Sequence, residues 1–346
     1  MKKISVVVLN WNGKKLLEQF LPNVIQYSIE HADIVVADNG STDDSVQYIK
    51  TTFPEVNIIE NGANYGFAEG YNRAIKQLST PYVLLLNSDV DIKAPYLEPL
   101  MEALENDPFL GAVQPKILDF KNPEYFEYAG ASGGFMDYNF FPFCRGRIFN
   151  YYEKDEGQHN EAIEVFWASG AALFTRTSLF NELGGLDKDF FAHMEEIDLC
   201  WRIKNNGYRI GVIPESIVYH VGGATLSEFS AHKTFLNFRN NLYIIVKNYE
   251  GWLIPKLFVR LFLDGLAALK FLSERNFANV FAVLKGHFYF YLFLPRTLNK
   301  RRVLKKSWVK PLNKNGWYLK NITYQFFLKK KRTFNELNPT DFWKLH

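Results

Sequence analysis

The sequence predicts an α/β fold with a mainly parallel central sheet, followed by a C-terminal helical extension that is basic and aromatic. The first observation is that strand-like and helix-like segments alternate four times within the first ninety residues. Such alternation is typical of a parallel sheet with helices on both faces. The second is the charge: between Arg275 and Asn335 there are 15 Lys and Arg and no Asp or Glu. The rest of the chain has 25 basic and 37 acidic residues, so an acidic body precedes a basic tail.

Four apolar segments predict the first strands, because short runs rich in β-branched residues are typical of buried strands. They are residues 4–10, 33–38, 57–60 and 82–87. Helices are predicted over about 14–30 and over 67–78. Another is predicted to begin at Ser41, because Ser41 and Asp44 fit a capping box.

The second half of the acidic body is less regular. Residues 119–165 are rich in Gly, Phe and Tyr without a clear period, which predicts loops and short strands. A helix is predicted over 195–206, since Gly207 is a typical stop at a helix end. Strands are predicted over 209–213 and 217–220.

Composition excludes several classes of protein. With 47% hydrophobic and 22% charged residues in 346, the chain can bury a sizeable core. Two cysteines, Cys144 and Cys200, exclude a disulfide scaffold and a four-cysteine zinc site. The first apolar run is too short for a signal peptide, so we expect a cytoplasmic protein.

The basic tail predicts contact with a membrane surface. In the apolar stretch 252–272, Lys256, Arg260 and Asp264 recur at helical spacing and form a polar stripe. Residues 277–294 are the most apolar, but they are marginally short for a spanning helix, which needs about 20 residues. An amphipathic aromatic stretch followed by Lys/Arg clusters favours a peripheral position on anionic lipid.

The tail has two other interpretations. It could be an ordinary helical subdomain with a solvated basic face. Nucleic acid is disfavoured as a partner, because the aromatic residues lie in apolar runs rather than among the basic ones. We therefore expect an α/β domain over residues 1–235 and a helical, membrane-associated extension over 236–346.

Polar residues follow three of the predicted strands, and ligands of open parallel sheets bind at this carboxyl edge. Trp11 could stack on a base, and Asp38 could accept a hydrogen bond from the ring N–H of uracil or thymine. Alternatively, Asp38 only begins the turn before the next helix. No G-x-G-x-x-G motif follows the first strand and the chain has no P-loop sequence, which disfavours dinucleotide and P-loop sites.

Two aspartates after the fourth strand could bind a cation. Asp89 and Asp91 offer the hard oxygen ligands that suit Mg²⁺ or Mn²⁺. His220, which ends a later strand, could be a further ligand. The alternatives are a solvated strand end and a structural histidine.

Three carboxylates begin the predicted helix over 195–206. Glu195, Glu196 and Asp198 lie in its first turn, where the helix dipole favours their ionised forms. A carboxylate facing a cleft could act as general base toward a sugar hydroxyl. The alternative is complementation of the dipole, with a pair between Asp198 and Arg202.

Taken in order along the chain, these segments resemble those of family 2 glycosyltransferases with the GT-A fold, including bacterial rhamnosyltransferase-like members. The segments that carry the resemblance are residues 6–13, 36–45, 64–73, 85–89, 167–171, 195–202 and 220–223. Asn87 stands where the family has the first residue of its Asp-x-Asp motif. Glu196 stands where the family has its catalytic Asp.

The resemblance implies inverting transfer of a sugar from a UDP- or dTDP-type donor with a divalent cation, Mg²⁺ or Mn²⁺. It implies Glu196 as the base, with Glu195 and Asp198 as further candidates. Asp89, helped by His220 or Asp91, would bind the metal. The implied nucleotide-sugar site consists of Leu9, Asn10, Trp11, Asp38, Asn64, Gly66, Arg73, Asn87, Ser88 and Gly170.

We therefore expect an enzyme of surface polysaccharide synthesis that acts on a saccharide or lipid-linked saccharide at the inner face of the cell membrane. One alternative is a catalytically weak, membrane-docked homologue that binds nucleotide sugars. Another is a nucleotidyltransferase, although residues 9–15 lack the basic, glycine-rich triphosphate loop it would need.

Overall fold

A computed structural model describes residues 2–222 and 230–343; Gly223, the last residue of the 220–223 motif, lies outside the described residues. The first half of the fold alternates strands and helices as the sequence predicts. Its elements are β1 Ile4–Asn10, α1 Lys14–Ser28, β2 Ala32–Asp38, α2 Ser45–Thr52, β3 Asn57–Glu60, α3 Gly66–Ile75, β4 Tyr82–Asn87, β5 Val90–Asp91, α4 Leu97–Asn106 and β6 Leu110–Asp119.

The second half adds short strands and long helices. Its elements are β7 Gly134–Asp137, β8 Pro142–Cys144, β9 Arg147–Ile148, β10 Tyr151–Tyr152, β11 Ile163–Val165, β12 Ala172–Arg176, α5 Thr177–Glu182, α6 Glu195–Asn205, β13 Arg209–His220, α7 Ala231–Asn248, α8 Leu253–Ser273, α9 Phe277–Leu304 and β14 Trp317–Tyr318. The two strands predicted over 209–220 are one strand, β13, whose register shifts between Ile213 and Ile217.

The main sheet of the described residues has the strand order β11-β13-β6-β12-β4-β1-β2-β3, with β5 paired to β13. Strands β3, β2, β1 and β4 are parallel, and β6 is parallel to β13. Strand β12 runs antiparallel to both of its neighbours, β4 and β6. The GT-A α/β architecture expected from the sequence is therefore confirmed.

Both faces of this sheet are covered. Side chains alternate along a strand, so Val7 packs into one hydrophobic cluster while Val6 and Val8 pack into the other. All three are at most 2% exposed. This explains the continuous apolar sequence of β1, which is typical of a strand buried on both faces.

The start of α2 differs from the prediction. The helix begins at Ser45, and the Ser41 side chain does not cap it. Instead, the Ser41 hydroxyl accepts hydrogen bonds from the backbone N–H of Asn12, at 2.9 Å, and from Asn10 Nδ2, at 3.1 Å. The predicted capping box is wrong because tertiary contacts with the loop after β1 hold this side chain.

A second sheet, with the order β10-β9-β8-β7-β14, lies in the region predicted to form loops and short strands. Its last strand comes from the tail and is parallel to β7. The rings of Phe334 and Phe342 pack on Phe135, with centroids 4.8 and 5.4 Å away. The end of the tail thus shares the main core, and the division made at residue 235 falls inside α7.

Candidate active site at the carboxyl edge of the sheet

Strands β1, β2 and β4 end side by side. Asn10 is in register with Asp38, and Leu9 with Asn87. The parallel pairing therefore brings the predicted nucleotide residues to one edge of the sheet. Trp11 follows β1 with half of its surface exposed, which leaves its ring accessible to a base.

Asp38 organises the turn after β2. Its Oδ2 accepts hydrogen bonds from the backbone N–H groups of Gly40 and Ser41, at 3.1 and 3.0 Å. Its Oδ1 accepts one from Asn10 Nδ2, at 3.0 Å. Asp38 therefore does stabilise the turn before the next helix. A nucleotide base at this position would meet a carboxylate whose orientation is already fixed.

The segment around α3 lies beside this turn. Asn39 Nδ2 donates to Asn64 Oδ1 and to the carbonyl of Gly66, both at 3.1 Å. Gly66 has a φ of +76°, a conformation that favours glycine. Asn64 and Gly66 are thus placed next to Asp38 through its neighbour Asn39.

Two further predicted residues border the same segment. Arg73 is exposed, with its guanidinium 3.7 Å from the centre of the Tyr65 ring and its Nε 3.4 Å from Glu69. Leu9 packs against Gly70, where a Cβ would lie 2.8 Å from Leu9 Cδ1. Arg73 thus presents a cationic side chain to solvent beside Tyr65.

His220 lies between two carboxylates at the end of β13. Its Nε2 is 3.1 Å from Asp89 Oδ1, and its Nδ1 is 3.0 Å from Glu127 Oε1. Burial alone would lower the pKa of His220, but Glu127 and Asp89 raise it to about 10. Glu127 was not predicted, because it lies in the irregular segment 119–165 and matches no motif.

The three other predicted residues near His220 differ in placement. Asn87, followed by half-buried Ser88, has its Nδ2 3.4 Å from His220 Nε2. Asp91 instead accepts a hydrogen bond from Asn23 of α1, at 2.7 Å. The structure therefore groups Asn87 with Asp89 and His220, whereas the Asp91 carboxylate is bound to a helix.

Asp89 and His220 fit a divalent cation as a partial ligand set. In octahedral coordination at about 2.1 Å, neighbouring ligand atoms lie about 3 Å apart, and the Nε2 to Oδ1 distance here is 3.1 Å. Within residues 2–222 and 230–343, no group of three or more His, Cys, Asp or Glu could hold a metal ion. The remaining ligands would come from phosphate and water, as is common for Mg²⁺.

Glu195 and Glu196 begin α6. A Cβ on Gly170 would lie 3.5 Å from Glu196 Cβ, so the base candidate lies against a residue of the implied nucleotide-sugar site. Burial raises the pKa of Glu196 to about 7. Burial and the neighbouring Glu196 raise the pKa of Glu195 well above its usual value, and Glu195 Oε2 has no hydrogen-bond partner among the described residues.

Asp198 is not available as a base in this structure. It is fully buried, and its Oδ2 accepts from Arg202 Nε and Lys247 Nζ, both at 2.9 Å. Its Oδ1 accepts from Asn248 Nδ2, at 2.8 Å. The structural interpretation of the Asp198–Arg202 pair is correct, and Lys247 and Asn248 from α7 complete it.

Short contacts connect Glu196 with the residues around His220. Gly170, which packs against Glu196, precedes Ala171, whose carbonyl accepts a hydrogen bond from the backbone N–H of Asn87 at 3.0 Å. The Asn87 side chain in turn reaches His220. The base candidate and the Asp89–His220 pair therefore lie around the same strand end.

This sheet, with its polar carboxyl edge, defines a GT-A glycosyltransferase fold. A family model described as Glycosyl transferase family 2 matches residues 5–184, more than half of the chain. The chain belongs to this family.

Relatives resemble the chain in sequence, and solved structures share its fold. The chain is 26% identical over 266 residues to N-acetylglucosaminyl-diphospho-decaprenol L-rhamnosyltransferase of Mycobacterium tuberculosis, covering 72% of this chain and 86% of that protein. It resembles the structure of S. aureus TarS 1–349 in complex with UDP-GlcNAc (TM-score 0.54, 16% identity, covering 89% and 91% of the chains). It also resembles GalNAc-T7 with UDP, GalNAc and Mn²⁺ (TM-score 0.55, 16% identity), covering 71% of this chain and about half, 48%, of that one.

Proposed function

We propose that this protein is an inverting glycosyltransferase that moves a hexosyl or rhamnosyl group from a UDP- or dTDP-type donor to a saccharide or lipid-linked saccharide. The observation that carries the proposal is the placement of Glu196 beside Gly170, around the same strand end as the Asp89–His220 pair. A base and a phosphate-binding corner on either side of a bound sugar are what a single displacement requires.

Glu196 would accept the proton of the acceptor hydroxyl. A hydroxyl is a poor nucleophile, and a positioned carboxylate with a pKa near the working pH is an efficient general base. The pKa of about 7 of Glu196 meets that condition. One base suffices for inversion, because no covalent intermediate forms and no second nucleophilic carboxylate is needed.

The nucleotide would bind at the ends of β1 and β2. Trp11 is exposed enough to stack on the base, and Asp38 is oriented by the turn N–H groups of Gly40 and Ser41. Arg73 lies beside Tyr65 in the neighbouring segment and is exposed to solvent. This is a suitable counter-charge for a diphosphate.

Asp89 and His220 would hold a divalent cation, Mg²⁺ or Mn²⁺. When bound, such an ion neutralises the charge of the leaving diphosphate. To ligate it, His220 Nε2 must be unprotonated. The structure of GalNAc-T7, which shares this fold, contains Mn²⁺ together with UDP, and this supports the choice of ion.

The acceptor is inferred from the relatives and from the tail. The mycobacterial relative is named for a lipid-linked N-acetylglucosamine diphosphate acceptor. A comparable acceptor here would place the enzyme in surface polysaccharide synthesis, at the cytoplasmic side of the cell membrane. An acceptor held in a bilayer requires the enzyme to approach that surface.

Helices α8 and α9 support peripheral membrane binding because their polarity is inverted relative to that of soluble helices. The polar residues of α8 face inward: Arg260 and Asp264 are 5% and 1% exposed and pair at 2.8 Å. Large apolar side chains face outward with 60–73% of their surface exposed; they are Phe258, Phe262, Phe281 and Phe288. Exposed apolar patches of this kind mark interaction surfaces, and the basic tail favours anionic lipid.

We place α9 along the membrane surface, although by length and composition alone it could cross a bilayer. Its Gly286 packs closely on α7, where a Cβ would lie 3.3 Å from the backbone of Phe235 and Arg239. Lys285 lies 4.9 Å from the Phe235 ring. One face of α9 is thus occupied by the protein, and residues 236–346 would contact the membrane while they pack on the rest of the chain.

The proposed activity is tested by thermal shift and transfer assays on the full chain. Nucleotides and nucleotide sugars of the uridine, thymidine and guanosine series are added with and without Mn²⁺. We expect UDP or dTDP compounds to raise the melting temperature more with Mn²⁺ than without, since a ligand of the folded state stabilises it. Stabilisation by nucleoside triphosphates alone would favour the nucleotidyltransferase alternative. Binding without hydrolysis or transfer would favour the catalytically weak homologue.

A further inference from the structure

The loop before α6, residues 187–194, holds an unfavourable backbone conformation next to the proposed base. Phe191, His193 and Met194 have φ values of +67°, +66° and +72°. Side chains disfavour this region, so such a conformation persists only where the surroundings enforce it. Glu195 and Glu196 follow directly, so the path of this loop decides where the two carboxylates point.

Asn240 of α7 contacts the backbone of this loop directly. It is fully buried, and its Nδ2 lies 3.2, 2.9 and 2.7 Å from the carbonyl oxygens of Phe190, Ala192 and His193. The orientation of the amide is fixed, because its Oδ1 accepts a hydrogen bond from Arg239 Nε at 2.9 Å. The two N–H groups of this one amide are therefore shared among three carbonyl groups of an irregular backbone.

Arg239 extends these contacts toward the start of the loop. Its Nη2 donates to the carbonyls of Asp189, at 3.3 Å, and Phe190, at 2.9 Å. The pair of adjacent α7 residues thus contacts four carbonyl oxygens of the loop. Nothing in the proposed chemistry uses either side chain directly.

Ion pairs from α7 and α9 hold the other end of the loop. Asp187 is 2.5 Å from Lys247 Nζ of α7 and 2.5 Å from Lys300 Nζ of α9. Asp189 is 2.6 Å from both Arg296 and Lys300 of α9. Two basic residues of the tail therefore contact the catalytic domain rather than only solvent or lipid.

The far side of the loop contacts the nucleotide segment. A Cβ on Gly66 would lie 3.2 Å from two ring carbons of Phe191. The loop is thus enclosed between α3 on one side and α7 and α9 on the other. A loosened loop would displace Glu196, whereas Trp11 and Asp38, which would contact the base, lie outside the loop.

We propose that Asn240, together with Arg239, is a positioning residue that holds loop 187–194 so that Glu196 points at the acceptor. The proposal rests on the proposed function for the role of Glu196, but the contacts themselves do not. Misplacement of a catalytic group by about 1 Å can lower a rate on the order of 10²-fold. We therefore expect the loss of Asn240 to lower kcat and to leave donor binding nearly unchanged.

The test uses the full-length Asn240→Ala variant, with Asn241→Ala as its matched control. Asn241 is the next residue of α7, equally buried, but its Nδ2 donates to the carbonyl of Phe140, in the turn between β7 and β8, at 2.7 Å. Measurements are kcat, KM for the donor, the affinity for UDP and dTDP, and amide hydrogen exchange of residues 187–194. We expect kcat to fall at least tenfold more in Asn240→Ala than in the control, with faster exchange in the loop and unchanged nucleotide affinity.

Arg296→Gln serves as a second variant that should fold, because this side chain is half exposed. We expect a smaller fall in kcat than in Asn240→Ala, because Lys300 still pairs with Asp189 and a single surface ion pair contributes little. Unchanged kcat in both variants, or equal losses in Asn240→Ala and Asn241→Ala, would overturn the proposal. Full activity of Glu196→Gln would instead overturn the proposal that Glu196 is the base. The contacts of Asn240 would still predict faster hydrogen exchange of loop 187–194 in Asn240→Ala.

Discussion

At the scale of single residues, Glu196 is the base that we propose, and its surroundings rather than its identity make it suitable. The preceding residue, Glu195, and the fully paired Asp198 share the first turn of α6. Only Glu196 combines partial exposure, contact with Gly170 and a pKa raised to about 7. The three carboxylates share one helical turn, but the groups around each of them differ and give them different properties.

The first prediction is that Glu196→Gln abolishes most transfer. The amide cannot accept the acceptor proton, and a general base contributes about 10²- to 10⁴-fold to a rate. Donor binding should persist, since nothing else in the site changes size. The measurements are kcat and the thermal shift with nucleotide sugar. Glu196→Asp, which keeps the carboxylate, is the control and should retain more activity; near-normal turnover of Glu196→Gln would remove this residue from its role.

The second prediction concerns pH. Burial raises the pKa of Glu196 to about 7, and the base must be unprotonated to act. Activity at subsaturating substrate should therefore rise with pH through about 7, rather than through the roughly 4–5 of an ordinary glutamate. A pH–rate profile of kcat/KM at constant Mn²⁺ checks this. A profile that is flat from about pH 5 to about pH 8 would contradict it.

At the scale of elements, α8 and α9 show why a helical pattern does not reveal which face is buried. The stripe of Lys256, Arg260 and Asp264 is present as predicted, yet Arg260 and Asp264 point into the protein. His287 of α9 lies 3.2 Å from Asp264, so the two helices share one buried polar cluster. A soluble helix would expose such residues.

The third prediction is that the exposed phenylalanines bind lipid. Phe258→Ser combined with Phe288→Ser should weaken sedimentation with vesicles of phosphatidylglycerol and phosphatidylcholine, because buried apolar area drives interfacial binding. Binding of the unaltered protein should also fall with added salt and with pure phosphatidylcholine. Phe109→Ser, an equally exposed phenylalanine before β6, is the control. Equal binding of the double variant and the unaltered protein would contradict membrane docking by these helices.

At the scale of the whole molecule, the tail and the catalytic domain are one folded unit. Strand β14 extends the second sheet, and Phe334 lies in the same core as Phe135. Glu153 reinforces this junction, because its Oε1 accepts the backbone N–H of Phe334 at 2.8 Å. Point substitutions are therefore better tests of the tail than its deletion, which would expose the core.

The fourth prediction follows from this junction. Phe334→Ala should lower the free energy of unfolding by about 3–5 kcal/mol, the usual cost of removing a buried aromatic ring. Leu328→Ala, in the same tail but 69% exposed, should change it little. Urea unfolding followed by tryptophan fluorescence measures both. If the two variants were equally stable, the tail would contribute little to the core.

Much of the fold could be predicted from local sequence. Strands β1 to β4 were predicted with bounds within one residue, because each is a short β-branched or apolar run between turn residues. The start of α2 was missed because Ser41 bonds to Asn10 and Asn12, which are about thirty residues distant in sequence. A local motif cannot reveal a competing partner that only the fold provides.

The sequence by itself determined the alternation of strands and helices, the family to which the chain belongs and the residues at the carboxyl edge of the sheet. Periodicity and strand ends are local properties, so they are readable without coordinates. Only the tertiary structure decided that Glu127 faces His220, that Asp91 and Asp198 are bound elsewhere, and that Asn240 holds the loop before Glu196. These contacts join residues far apart in the chain, and their geometry depends on how the elements pack.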